Sequence, residues 1–366
     1  MTDLFSANLI QWYRENKRDL PWRETSDPYR IWVSEIMLQQ TRVDTVIPYY
    51  HRFLEVFPTV TALAEADQQQ VLKIWEGLGY YSRARNLHSG ARYLMESHNG
   101  EVPQNRAELL NVKGIGTYTA AAILSIAFGQ KHAVVDGNVL RVLSRYAGIR
   151  EDIRSGRVVN EIQKIADQLI PDDHPGDFNQ ALMELGATLC KPVSPLCNNC
   201  PLSSGCKAWN LAETDTIPYK SPAKKIPHYE IAAGLILNEK LELLIALRPE
   251  HGMLGGLWEF PGGKKEQGET LEETVKRELL EELGVQVRTG DLLISLNHTY
   301  SHFKITLHAY WCRIISGVPS PRSSQQLRWV SADELDVYPF PKANKLIIKR
   351  VARLDTSDLE NVFGKI

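Results

Sequence analysis

The chain has 366 residues, of which 43% are hydrophobic and 23% charged, a composition typical of globular proteins with enough apolar material for two domains. A formal net charge of −2 excludes a polybasic protein that binds nucleic acid through excess charge, so a DNA-binding surface would have to come from the placement of charges. No apolar run approaches the roughly 18 residues that a membrane span needs. The first residues do not resemble a secretory signal, and we therefore expect a cytoplasmic protein.

Residues 5–210 are predicted to be almost wholly helical. Asp27-Pro28 predicts an N-cap followed by proline at the first helical position. The helix it opens, Tyr29–Thr41, is apolar nearly all round and should be mostly buried. Glu35 lies in its middle, where burial would raise the pKa of the carboxyl toward the range useful to a general acid. The alternative is a Glu35 that is paired with a buried arginine.

A glycine-rich turn with aromatic and basic side chains follows at residues 75–85. Such a segment suits insertion between bases and contact with phosphate. A tyrosine pair such as Tyr80-Tyr81 is more often part of a core, so the segment alone is a weak signal.

A second helical region contains the tight turn Gly114-Ile115-Gly116, with a helix predicted to begin at about Thr117. Gly114 and Gly116 permit a backbone path in which amide N–H groups point at one anion, and the helix N-terminus adds partial positive charge. This predicts a phosphate-binding turn that does not read sequence. Asp136 precedes a predicted helix at Val139–Arg145, and the alternative is a plain helical hairpin in which Asp136 is only a cap.

Four of the five cysteines lie close together near the end of the helical region, at Cys190, Cys197, Cys200 and Cys206. In a cytosolic chain, clustered thiols indicate a metal before disulfides. Four thiolates suit either zinc or an iron–sulfur cluster, and their spacing does not choose between the two.

The motifs SEIMLQQTRV, EGLGYYSRARNL, KGIGTYTA and VVDGNV and the cysteine spacing C-x6-C-x2-C-x5-C occur in the order found in helix-hairpin-helix DNA glycosylases. Within that superfamily the chain resembles the MutY-type adenine DNA glycosylases over nearly its whole length. The resemblance implies that the four cysteines bind a [4Fe–4S] cluster. Tyr118 stands where the lyase branch carries lysine, which implies a monofunctional glycosylase because no amine is present to form a Schiff base.

The resemblance also implies roles for individual residues. Glu35 would protonate a flipped adenine at N7 and later act as a base toward water, while Asp136 would stabilise the cationic sugar or add to it. Tyr118 and Asn138 would support this pair. The remaining matches line the adenine pocket (Trp22, Arg23, Leu38, and Gln180, where some members carry glutamate) or are wedged into the base stack (Gln40, Tyr80).

The second half predicts a different architecture, giving a multidomain chain with an all-α and an α+β part. The predicted all-α helix-hairpin-helix glycosylase domain spans 1–210, with the hairpin at about 108–128 and the cluster loop at 190–206. A polar segment with three prolines, 211–228, reads as a linker, and an α+β Nudix-like domain spans 229–366. Its predicted elements are strands at Tyr229–Leu237, Leu241–Leu247, near Leu257–Phe260, Val285–Val287 and Phe303–Ile315, and a helix at Glu269–Leu283.

This second domain contains the complete Nudix signature, from Gly263 through Glu269, Arg277, Glu278, Glu281 and Glu282 to Gly284-Val285. Its carboxylates fall on adjacent helical turns and can bind Mg²⁺ for pyrophosphate hydrolysis. MutY-type proteins carry a Nudix-like domain that instead reads 8-oxoguanine, often with a degraded signature. The intact signature therefore leaves a nucleotide pyrophosphatase acting on oxidised dNTPs as an alternative function.

The segment 298–302 resembles the loop by which MutY-type proteins engage 8-oxoguanine, with Tyr300 as an aromatic wedge. Ser301 and His302 can hydrogen-bond the oxidised base, whose N7–H is a donor where guanine has an acceptor. The alternatives are an ordinary strand-edge loop and, for the whole chain, a non-catalytic lesion binder. The sequence thus predicts a monomeric adenine DNA glycosylase acting on A:8-oxoG or A:G mispairs in double-stranded DNA, with the linker as a docking site for a repair or replication partner.

Overall fold

A computed structural model describes residues 2–222 and 225–366. Its described residues form two compact units, one of residues 2–65 and 86–222, the other of residues 66–85 and 225–366. Residues 223 and 224 of the predicted linker lie outside the described residues. Within the described residues, no helix is long and apolar enough to cross a lipid bilayer.

The first 210 residues are helical, as the sequence predicts. In chain order the helices are α1 (Thr2–Asn16), α2 (Pro28–Leu38), α3 (Val43–Val56), α4 (Val60–Glu65), α5 (Gln68–Trp75), α6 (Ser82–His98), α7 (Arg106–Asn111), α8 (Thr117–Ile126), α9 (Gly137–Ala147), α10 (Gly156–Leu169), α11 (Pro175–Thr188) and α12 (Lys207–Asn210). Short 3-10 helices lie at Pro21–Arg23, Cys197–Asn199 and Ser203–Gly205. α8 begins at the predicted residue, and α7 and α8 flank the glycine turn as the predicted helical hairpin.

The core of the first unit explains where α9 and α11 sit. Apolar side chains of α1, α9, α10 and α11 pack together, among them the fully buried Leu9, Leu143, Ile162 and Leu182. Because α9 and α11 are held side by side in this core, residues at the N-terminus of α9 and along one face of α11 have fixed positions. α2 packs separately against α3 and α8.

The second unit is built on two β-sheets. Its strands are β1 (His228–Ile236), β2 (Leu243–Leu247), β3 (Trp258–Glu259), β4 (Gly262–Lys264), β5 (Gln286–Thr299), β6 (Lys304–Ser316) and β7 (Gln326–Val330). The first sheet has the order β4-β1-β6-β5, with β1 parallel to β6 and the other pairs antiparallel, and the second has the order β3-β2-β7. The predicted helix is α13 (Leu271–Leu283), which packs on the first sheet through Val275 and Leu279.

Several elements of this unit are not apparent from the sequence. β5 runs for 14 residues where a strand of only three residues is predicted. Buried and exposed residues do not alternate regularly along β5, because β-bulges interrupt its pairing with β6. The two-residue period by which a strand is recognised in a sequence is therefore lost. The chain ends with α14 (Lys342–Val351) and α15 (Thr356–Lys365), which contribute Ile347 and Leu359 to a core shared with both sheets. The described chain is therefore a helical part followed by an α+β part, and the predicted fold class is confirmed.

Candidate active site

Glu35 is placed by a helix that the sequence encodes clearly. Asp27 is the N-cap of α2, its carboxylate accepting from the Tyr29 backbone N–H at 2.9 Å, and Pro28 occupies the first helical turn. The apolar residues around the helix bury it on nearly all sides, with Trp32 and Val33 fully inaccessible. Glu35 is consequently 5% exposed.

The electrostatic environment of Glu35 favours the protonated acid. Burial, followed by repulsion from the charge of Asp136, raises the pKa of Glu35 to about 7, although a hydrogen bond from the Tyr118 hydroxyl opposes the rise. Within the described chain Glu35 forms no ion pair, so the alternative of a buried arginine partner does not apply. A carboxyl with a pKa near 7 can both donate and accept a proton at neutral pH.

Asp136 lies at the N-terminus of α9 and combines two roles. One carboxylate oxygen caps the helix by accepting from Val139 N–H at 2.7 Å, and the other accepts from Asn138 Nδ2 at 2.9 Å. Burial is the largest effect and leaves the pKa of Asp136 above its usual value, although these hydrogen bonds and the Arg141 charge partly oppose the rise. The cap predicted as an alternative is therefore present, and Asp136 also lines the cavity described next.

The predicted catalytic residues and most predicted DNA-contacting residues line one cavity of about 720 Å³ in the first unit. They are Glu35, Tyr118, Asp136, Asn138, Trp22, Arg23, Leu38, Gln40, Gly114, Gly116 and Gln180. A volume of this size lies in the range of small-molecule sites and holds a nucleobase with room for its sugar. Gln40, predicted as a wedge, has a left-handed backbone (φ +56°), a conformation that costs energy for a residue with a side chain and is frequent at functional sites.

The glycine turn of the hairpin has the predicted backbone form at its first glycine. Gly114 has φ +90°, and a Cβ at this position would lie 2.9 Å from Asn86 Cβ. Gly116 is extended, precedes the first residue of α8, and would meet no atom within 4 Å. Gly114 is therefore required by conformation and by space, whereas Gly116 leaves the N-terminus of α8 open to an incoming anion.

An ion cluster in the cavity wall is not evident from the sequence. Glu184 of α11 is fully buried and binds Arg18 Nε at 2.7 Å and Arg23 Nη2 at 2.7 Å. Burial raises the pKa of Glu184, but the hydrogen bonds and charges of the two arginines outweigh this and lower it to about 2. Glu184 follows the predicted site residue Gln180 by one helical turn on the same face, and this spacing is the sequence signal that would have pointed to it.

The four cysteines that lie close together in the sequence carry free thiols, each partly buried, and the structure does not gather the four into one cluster. Buried Arg145 of α9 contacts the first and last of them: its Nη1 lies 3.4 Å from Cys190 Sγ, and its carbonyl oxygen accepts from Cys206 Sγ at 3.5 Å. Its guanidinium also donates to the carbonyl oxygens of Lys191 and Thr214 at 2.6 and 2.8 Å. In residues 2–222 and 225–366, no three His, Cys, Asp or Glu side chains stand in a metal-binding arrangement. Through its contacts with Cys190 and Cys206, Arg145 holds both ends of the segment that contains Cys197 and Cys200.

The remaining predicted DNA contacts lie in the second unit. Tyr80, Tyr300, Ser301 and His302 line a cavity of about 430 Å³, and the hydroxyls of Tyr80 and Ser301 are hydrogen-bonded to each other. Tyr80 also has a left-handed backbone (φ +48°) and is 40% exposed. The structure therefore joins a predicted wedge residue to the predicted lesion-reading loop.

The Nudix carboxylates are largely engaged with one arginine. Arg277 binds Glu269 at 2.6 Å, Glu278 at 3.0 Å and Glu281 at 3.3 Å, while Glu282 accepts from the Gly262 backbone N–H at 3.1 Å. Glu282 and Arg277, whose Nη2 donates to the Lys264 carbonyl oxygen at 3.0 Å, thus hold the middle and last turns of α13 against β4. The arrangement stabilises the domain whether or not it binds a cation.

Comparison with known proteins supports this two-part architecture. The family of HhH-GPD superfamily base excision DNA repair proteins matches residues 33–168, and the NUDIX domain family matches residues 232–350. The chain is 36% identical to the adenine DNA glycosylase of Homo sapiens, over 94% of this chain and 73% of the human protein. It is 32% identical to that of Buchnera aphidicola subsp. Baizongia pistaciae, over 97% of this chain and 99% of the relative.

A solved structure of a thermostable thymine-DNA glycosylase is 31% identical and superimposes with a TM-score of 0.52, covering 57% of this chain and 97% of that chain. The curated adenine DNA glycosylases extend across both halves of this chain. The comparisons thus do not favour the alternative of a Nudix pyrophosphatase. By its relatives and by its fold, the chain belongs to the adenine DNA glycosylase family.

Proposed function

We propose that the protein removes adenine mispaired with 8-oxoguanine, or with guanine, from double-stranded DNA by hydrolysing the N-glycosidic bond. The observation that carries this proposal is the pair of carboxyl groups, buried Glu35 and partly buried Asp136, that line one cavity large enough for a nucleoside. Burial raises the pKa of Glu35 to about 7, which favours its protonated form. Burial raises the pKa of Asp136 above its usual value, but its hydrogen-bond donors and the Arg141 charge oppose this rise and favour the carboxylate. One acid and one carboxylate are what glycosidic cleavage requires.

The chemistry follows from these two environments. Adenine is a poor anionic leaving group, and a base within a duplex must first be flipped into the cavity. Protonated Glu35 donates its proton to N7 of the base, the C1′–N9 bond breaks, and its electron pair leaves with the neutral purine. The sugar becomes an oxocarbenium-like cation beside the Asp136 carboxylate. Water then adds to C1′ and gives its proton to Glu35, which leaves an abasic site.

Tyr118 supports a glycosylase without lyase activity. Its hydroxyl donates to Met183 Sδ at 3.3 Å and interacts with Glu35, and burial and the neighbouring carboxylates raise its pKa far above the ordinary value, so it stays a neutral donor at every pH of interest. A phenol cannot form a Schiff base with the abasic sugar. We therefore expect DNA strands that stay intact after adenine is lost.

Recognition of 8-oxoguanine is assigned to the second cavity. Ser301 and His302 supply polar groups for the oxidised base edge, and Tyr80 and Tyr300 supply aromatic surface for stacking. The test compares single-turnover adenine release from duplexes with adenine opposite 8-oxoguanine, guanine or thymine. Ser301→Ala should reduce the preference for 8-oxoguanine over guanine, since a base-edge contact contributes roughly 1–3 kcal/mol.

The matched control is Ser357→Ala, which removes an exposed hydroxyl bound to Asp355 in the same unit and away from this cavity. Its preference should equal that of the wild type. Equal rates of adenine release by the wild type opposite all three bases would contradict the proposed mispair specificity. A preference that Ser301→Ala leaves unchanged would exclude the second cavity as the reader.

We also propose that Cys190, Cys197, Cys200 and Cys206 bind a [4Fe–4S] cluster. Four thiols in one short segment form a suitable donor set, and Arg145 brings the first and last of them to α9. Bound there, the cluster would fix the loop and take no part in glycosidic cleavage. Iron and sulfide analysis of anaerobically purified protein tests this: four irons per chain are expected, and zinc at one equivalent would contradict the proposal.

Three further expectations complete the proposal. We expect a cytoplasmic location and a monomer, and the monomer can be checked by sedimentation. A repair or replication partner is expected to dock on the predicted linker, residues 211–228.

A further inference from the structure

A tyrosine outside the predicted site holds one of the predicted adenine-contacting residues. Tyr13 of α1 is 1% exposed, and its hydroxyl lies 3.2 Å from Gln180 Oε1. The guanidinium of Arg23 lies over its ring at 5.3 Å. A single buried side chain thus touches two residues that line the cavity.

The hydrogen bond has a defined direction. Burial raises the pKa of Tyr13 to about 12, so its hydroxyl carries a proton and can donate it. Of the two ends of the Gln180 amide, only Oε1 can accept it. Gln180 is half-buried and lines the cavity, so the amide presents Nε2–H and the second lone pair of Oε1 to a ligand.

We propose that Tyr13 is a positioning residue that fixes the orientation of the Gln180 amide and thereby selects adenine against 6-oxopurines. The inference rests on the proposed function, in which Glu35 protonates N7 and the Watson–Crick edge is left to another lining residue, Gln180. At that edge adenine offers N1 as an acceptor and N6–H as a donor. The fixed amide matches both, with Nε2–H donating to N1 and Oε1 accepting from N6–H.

The same amide is mismatched to a 6-oxopurine. Hypoxanthine carries N1–H and O6 at these positions. The donor Nε2–H would then face the donor N1–H, and the acceptor Oε1 would face the acceptor O6. An amide free to turn over would accept either base with the same number of hydrogen bonds. Without the Tyr13 hydroxyl, discrimination at this edge is therefore lost while the Gln180 side chain remains.

Tyr13→Phe tests the proposal because it removes only the hydroxyl and keeps the ring beneath Arg23. Single-turnover rates are measured on duplexes with adenine or hypoxanthine opposite 8-oxoguanine. The adenine-to-hypoxanthine rate ratio should fall roughly ten-fold or more, as expected for one good bidentate base contact. Tyr93→Phe, on α6 of the same unit and outside the cavity lining, is the matched control and should keep the wild-type ratio.

A double-variant comparison separates positioning from general destabilisation. In a Gln180→Leu background, adding Tyr13→Phe should leave the rate ratio unchanged, because no amide remains to be oriented. Equal losses of both rates in Tyr13→Phe, with an unchanged ratio, would overturn the inference. If the wild type released no adenine from any duplex, the proposed function itself would fail, and this outcome is distinct from the first.

Discussion

The substitution Glu35→Gln should slow adenine release strongly and at the same time stabilise the protein at alkaline pH. Glu35 is buried at the centre of α2, where its ionised form lacks a cationic partner among the described residues. Burial and the Asp136 charge raise its pKa from 4.5 to about 7. A glutamine has the same shape, carries no charge, and can still accept the Tyr118 hydrogen bond through its amide oxygen.

The magnitude follows from the two pKa values. The folded state holds the Glu35 proton more tightly than the unfolded state, so its contribution to stability is fully present below pH 4.5 and is lost as the pH rises to 7. A difference of about 2.5 pKa units corresponds to about 3 kcal/mol. Above pH 7 the wild type carries this whole cost, and Glu35→Gln does not.

The assay is urea unfolding of both full-length proteins at pH 5 and pH 8, with the loss of helix monitored by circular dichroism. We expect the stability advantage of Glu35→Gln to grow by roughly 2–3 kcal/mol between the two pH values. A pH-independent difference would refute the argument, since it would mean that Glu35 has an ordinary pKa or an unrecognised cationic partner.

Three other substitutions follow from the same site. Asp136→Asn should keep the helix cap, because the amide oxygen can still accept from Val139 N–H, yet reduce single-turnover adenine release by at least about 100-fold through the lost negative charge. Glu184→Gln should lower the free energy of unfolding by about 3–5 kcal/mol, because it leaves two arginines without their buried partner. The pKa of Glu184 is depressed to about 2, so its own stabilisation is present above pH 4.5 and should fade as the pH falls toward 2, which acid titration of the wild type would show. Arg145→Met should destabilise the protein by at least about 3 kcal/mol in chemical unfolding, and a change below 1 kcal/mol would show that the cysteine segment does not depend on its hydrogen bonds.

Much of this site is predictable because its signals are local. The cap at Asp27 and the apolar sequence around Glu35 are enough to predict a buried carboxyl in α2, and both features are present. The start of α8 and the cap at Asp136 likewise follow from glycine and aspartate preferences that act within a few residues.

The rest depends on contacts between residues far apart in the chain. Glu184 meets Arg18 and Arg23 across more than 160 positions, and Tyr13 meets Gln180 across 167. Nothing in the local sequence around Tyr13 distinguishes it from an ordinary core residue. The length of β5 is hidden for another reason, since bulges break the alternation by which a strand is recognised.

Segment 66–85 also owes its position to residues far away in the chain, since it belongs to the same compact unit as residues 225–366. Its glycine-rich turn predicts a wedge, but not that the segment would pack with the C-terminal part of the chain. Gln69 accepts from Trp258 Nε1 at 3.1 Å, and Arg85 donates to the Gly255 carbonyl oxygen. Only the folded structure places the wedge residue Tyr80 beside the loop at Ser301.

The most direct test is single-turnover release of adenine from a duplex with one adenine opposite 8-oxoguanine, comparing wild type with Glu35→Gln, each with and without alkali afterwards. Wild type should release adenine and give strand breaks only after alkali, while Glu35→Gln should be slower by roughly 100- to 10,000-fold, the contribution of a general acid. Equal rates for the two proteins would contradict the role of Glu35, and strand breaks without alkali would contradict a glycosylase that lacks lyase activity.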